Sequence, residues 1–154
     1  MTVGEQENLT ALDRPGGDTI AADPQQTASA DGAQAVDGPF TTRQLLRLDE
    51  ALRVADQTTG LTFSVYLGAL DEPVRAHAER LHAQLAGSAR AVLIAVSPNQ
   101  RLLEIVTGSE ARKRVSDRDA KLAALSMAAS FAGGDLAGGI ISGLDQLATH
   151  AGRS

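Results

Sequence analysis

The stretch that decides the fold is Ala91-Val92-Leu93-Ile94-Ala95-Val96, followed by Ser97-Pro98-Asn99-Gln100 and then Arg101-Leu102-Leu103-Glu104-Ile105-Val106-Thr107. An unbroken apolar run of strand length, without polar alternation, predicts a central strand covered on both faces. Turn-forming residues follow it. The next run is long enough to fold back beside it as the second arm of an antiparallel hairpin. Upstream, Leu61-Thr62-Phe63-Ser64-Val65-Tyr66-Leu67 begins with apolar and polar positions in alternation and is rich in residues that suit a pleated surface, which predicts a first strand. Between the two strands, Pro73 fits the first turn of a helix whose buried face is Val74, Ala78, Leu81 and Leu85. Strand, helix, strand is the order of a right-handed crossover, so the strands predict one mixed sheet.

Helices flank this unit. Thr41 or Thr42 can cap a helix with Leu45, Leu48, Leu52 and Ala55 on one face, ending at Gly60. After Gly108, Ser116 can cap another, with Asp119 answering it three residues on and Leu122, Leu125 and Ala129 as its apolar face. Gly133-Gly134 breaks that helix and Asp135 caps the last, along which Leu136, Ile140, Leu144 and Leu147 recur at helical period. The predicted class is therefore α/β, a small mixed β-sheet with about four helices, occupying residues 41–154. Residues 122–144 are rich in Ala, Gly, Leu and Ile, but Asp135 divides them into runs of 13 and 9 residues. A membrane span needs about 20, so no span is expected and two packed helices are.

Residues 1 to 40 read differently. Glu5, Glu7, Asp13, Asp18, Asp23, Asp31 and Asp37 face Arg14 alone, a net charge of −6, whereas the remainder holds 13 basic and 12 acidic residues, net +1. Turn formers and small polar residues dominate this leader, and few branched apolar side chains are there to bury. It predicts a disordered acidic tail. The leader also has neither a basic start nor an apolar run, so it does not resemble an export signal, and a cytoplasmic protein is expected. The chain has no cysteine, which removes disulfides and thiolate chemistry. A near-neutral domain has no general field for nucleic acid or an anionic membrane.

Several strings resemble the TPM domain, a family that includes a thylakoid-lumen protein of photosystem II repair and many bacterial envelope proteins. They are the opening helix with Leu48-Asp49-Glu50-Ala51-Leu52, the segment Thr59-Gly60-Leu61, the hairpin from Val92, the pair Thr107-Gly108 with Val115-Ser116-Asp117, and Gly134-Asp135-Leu136-Ala137-Gly138-Gly139. The chain departs from the family at Val106, where many members carry glutamate, and at Ser109-Glu110-Ala111, where they carry an aromatic-glycine string. The resemblance implies a TPM-like α/β domain, and calcium binding and phosphatase activity are attributed to family members.

If the first two strands are parallel, their C-terminal ends share one rim, where open α/β sheets usually bind ligands. That rim would hold Asp71, Glu72 and Asn99, with Asp135 arriving nearby. Three carboxylates and an amide oxygen suit a hard cation, Ca2+ or Mg2+. Each residue also has a plainer role at a turn or a helix N-terminus. His77 and His82 are five apart on one helix and do not form a helical metal pair. No Gly-x-Ser-x-Gly turn supports a hydrolase triad. The late glycines follow a helix rather than a strand, so close helix packing explains them better than a phosphate loop. Arg112-Lys113-Arg114 with Arg118 and Lys121 is interrupted by acids and has no aromatic for base stacking. The reading is a monomeric, non-catalytic protein-binding or adaptor domain of unknown partner, the alternative being a weak divalent-cation-dependent phosphatase or calcium-binding domain with Asp71 and Asp135 holding the metal.

Overall fold

A computed structural model describes residues 40–153. Helix α1 spans Thr42–Thr59, strand β1 Thr62–Leu67, helix α2 Val74–Ala83, strand β2 Ala91–Ser97, strand β3 Leu102–Thr107, helix α3 Asp117–Ala132 and helix α4 Leu136–Ala151. The strands form one mixed sheet in the order β1-β2-β3, an α/β fold as the sequence predicts. The expected tail over residues 1–40 lies outside the described residues except for Phe40, which is buried.

The described residues divide into two units, 40–47 with Ser64–Gly68, and Leu48–Phe63 with 69–153. In the first, Thr41 and Gln44 cap α1 reciprocally: the Thr41 hydroxyl accepts the Gln44 amide and the Gln44 side chain accepts the Thr41 amide. Leu45 and Leu46, 36% and 64% exposed, face outward, so Leu45 does not belong to the buried stripe expected of this helix.

In the second unit, every residue of β2 is buried. It pairs with β3 in a register that sets Ile94 opposite Ile105 and Ser97 opposite Leu102. Arg101 belongs to the turn rather than the strand: its φ is 58° and its amide donates to Pro98 O at 3.2 Å. Pro73 likewise sits just before α2, at its N-cap. Thr107-Gly108 is a close-approach point, because a Cβ on Gly108 would collide with the backbone oxygens of Ser88 and Ala89.

Helix α3 corrects the sequence expectation. Leu122 and Leu125 do not face the core; Ala120, Ala123 and Met127 do. The cause lies on α4. Its glycines leave grooves so shallow that a Cβ on Gly143 would meet Met127 Sδ at 2.5 Å and one on Gly139 would meet Phe131 and Ser130 at 2.8 Å. Those pairings run antiparallel along the two helices. Met127, Ser130 and Phe131 of α3 fill this close seam, and Leu122 and Leu125 lie on the other side of the helix. On α4 itself Ile140, Leu144 and Leu147 are buried as expected.

Candidate functional site

Two of the loops that carry residues of the expected rim are joined by one residue that spacing does not single out, Gln100. Its side-chain oxygen accepts the Leu70 amide at 2.8 Å and the Ser97 hydroxyl, and its nitrogen donates to Leu70 O at 3.0 Å. This double hydrogen bond ties the loop over residues 69–73 to the hairpin turn over residues 98–101. Asp71, Glu72 and Asn99 are exposed on those two joined loops. The Asp71 amide donates to His77 Nδ1 at 2.8 Å, so neutral His77 carries its proton on Nε2. Burial holds the His77 pKa below its ordinary value, opposed by the Asp71 charge and assisted by Arg80.

Asp135 stands at the turn between α3 and α4, where its Oδ1 accepts the Gly138 amide at 2.9 Å as an N-cap. Among the described residues, no group of three or more His, Asp or Glu side chains is spaced to hold a metal ion. His82 is a core residue, its Nε2 lying 2.9 Å from Ala91 O. Asp119 completes the expected capping box with Ser116.

Two more polar residues have structural work that the sequence did not disclose. Within the basic cluster, Arg114 is a clamp: its guanidinium donates to Thr59 O at the end of α1 and to Ala151 O, Gly152 O and Arg153 O at the end of α4. A cation at two helix C-termini is favourably placed against both dipoles. Asp56 accepts the Phe63 amide at 2.8 Å, and burial pushes its carboxyl up to about 6 against the pull of that hydrogen bond. Neither residue has a spacing signal.

The outward side of α3 is chemically distinct. Leu122 and Leu125 are 44% and 61% exposed, and Arg118, Lys121 and Ala129 are exposed beside them. Among the described residues, Arg118 and Lys121 hold no ion pair, whereas Arg112 leans toward Asp117 at 3.9 Å and Lys113 toward Glu110 at 3.3 Å.

Over residues 18–148 the sequence matches the family described as "Domain of unknown function (DUF5130)". The chain belongs to this family. Two uncharacterised proteins of Mycobacterium tuberculosis, from strains CDC 1551 and H37Rv, are each 34% identical over 113 residues, covering 73% of this chain and 68% of theirs. Three solved structures share the fold. The BA42 protein of Bizionia argentinensis superposes with a TM-score of 0.67 at 18% identity, over 75% of this chain and 83% of its own. The N-terminal domain of a Porphyromonas gingivalis protein gives 0.64 at 17%, over 72% and 75%. That of cg2496 from Corynebacterium glutamicum gives 0.60 at 14%, over 75% and 76%. For this DUF5130 member these neighbours establish architecture alone, and the matched family carries a description other than the TPM domain. No helix among the described residues is long and apolar enough to cross a membrane.

Proposed function

We propose that the domain is a non-catalytic protein-binding or adaptor module. The observation that supports this is the packing of α3, whose Met127, Ser130 and Phe131 meet α4 while Leu122 and Leu125 remain at the surface. Large apolar side chains grouped on an exposed helix face are the usual material of a contact with another protein. The test is purification of the full chain from its native cell under gentle cross-linking. A stoichiometric second polypeptide is expected; recovery of the 15.9 kDa chain alone contradicts the reading.

A second reading, a cation site of the kind the TPM resemblance implies, is supported by the Gln100 bridge, which joins the loops on which Asp71, Glu72 and Asn99 lie. Oxygen ligands of this type suit Ca2+ or Mg2+. Calorimetric titration with each ion, beside hydrolysis of a generic phosphomonoester, tests it. Heat or turnover that Asp71→Asn abolishes supports the cation site, and a signal that survives both Asp71→Asn and Asp135→Asn removes it.

A further inference from the structure

Resting on the protein-binding reading, we infer that the outer face of α3 is the docking surface, and that it takes an acidic amphipathic helix from a partner protein. Arg118, Leu122, Leu125 and Ala129 recur at intervals of four, three and four along α3. That is the repeat by which one helix meets another along a seam. On the opposite side of α3 the seam is already filled by α4, through Met127 against Gly143 and Phe131 against Gly139. A docked segment would therefore lie beside α3 as a third helix, with Leu122 and Leu125 between its own apolar residues.

Charge selects the occupant. Lys121 lies one turn before Leu125, and Arg118 one turn before Leu122, so each cation flanks an exposed leucine as an i, i+4 neighbour. Both cations are exposed and neither has an ion-pair partner among the described residues. The acids of the helix lie elsewhere: Asp119 faces His150 at 3.4 Å and Asp117 leans toward Arg112. A second copy of this chain would bring the same two cations to the seam, its Asp117 leaning toward Arg112. A helix with leucines at seam spacing and glutamate or aspartate beside them supplies both complements. Two leucines and two cations make a small contact, well below the roughly 800 Å² per partner of a stable interface, so the complex is a transient one.

The test uses the full-length protein and a fluorescein-labelled synthetic helical peptide with leucine at seam positions and glutamate at flanking positions, read by fluorescence anisotropy. Saturable binding is expected, weakened about tenfold by Leu122→Ser with Leu125→Ser. The double variant Arg118→Glu with Lys121→Glu should lose this peptide and gain the version carrying lysine in place of glutamate. These side chains are exposed, so circular dichroism and melting of both variants should match the parent. The inference is overturned if the peptide does not saturate, if both variants bind it as the parent does, or if phosphatidylserine vesicles are bound and the peptide is not. Should a native complex survive in the variants, the protein-binding reading stands and this face is the wrong one.

Discussion

The β2–β3 hairpin and the α3–α4 hairpin are both pairs of consecutive antiparallel elements, but they exclude water by opposite means. In the first, branched side chains stack face to face, with every β2 residue buried and Ile94 opposite Ile105. In the second, Met127, Ser130 and Phe131 of α3 approach the glycines of α4 so closely that a single added carbon would collide. A seam of the first kind consumes the large apolar residues of both elements; one of the second kind uses those on one side of a single helix, here Met127 and Phe131, and leaves its leucines over. The leucines left on the outside of α3 are what the proposed binding face is made from.

The comparison breaks most easily at Gly108, the backbone contact beside the β-hairpin. Gly108→Ala forces a Cβ into the Ser88 and Ala89 carbonyls, and a loss of about 3 kcal/mol or more is expected by chemical denaturation. A loss below about 1 kcal/mol would mean the two loops do not touch. Arg114→Ala should cost about 2 kcal/mol, since it frees carbonyls at the ends of α1 and α4 together. Arg114→Lys should recover little of that, because an ammonium cannot reproduce the forked geometry.

Smaller changes sharpen the helical side. Gly143→Ala is expected to destabilise by about 1 kcal/mol, crowding against Met127 outweighing the helix propensity gained. Leu125→Ala should shift stability by less than about 0.5 kcal/mol, where a core leucine would cost about 2 to 5. Asp56 lies outside both pairs and serves as a pH control. Its folded pKa of about 6 stands above the ordinary 3.8, so the folded state holds the proton more tightly than the unfolded chain. The stability this brings is present below about pH 4 and is lost as pH rises through about 6. Asp56→Asn keeps an acceptor for the Phe63 amide without the charge. It should raise stability at pH 7 by about 1 kcal/mol after solvent screening, and the advantage over the parent should vanish by pH 4.

Sequence reading recovered what depends on local chemistry. The apolar run of β2, the turn before β3, the Ser116–Asp119 box and the Asp135 cap all follow from neighbours within a few residues. On α3, periodicity ranks the bulkiest stripe as the core, whereas the partner helix decides which stripe fits. Nothing in the spacing of α3 tells that Gly139 and Gly143 will face it. Asp71 and Asn99 follow strand ends, which is legible in the sequence, but the joint between their loops is made by Gln100 across 30 residues of sequence. Arg114 was hidden among other basic residues for the same reason, its partners being carbonyls far along the chain.

Which side of α3 meets α4 decides whether Leu122 and Leu125 stay at the surface. Methyl-resolved nuclear Overhauser spectra of the full chain test it most directly, combined with a soluble paramagnetic probe. The Met127 methyl should show close contacts to the Gly143 α-protons, while the Leu122 and Leu125 methyls show none to α4 and are broadened by the probe. Contacts from Leu122 or Leu125 to α4, with those methyls protected from the probe, would contradict it.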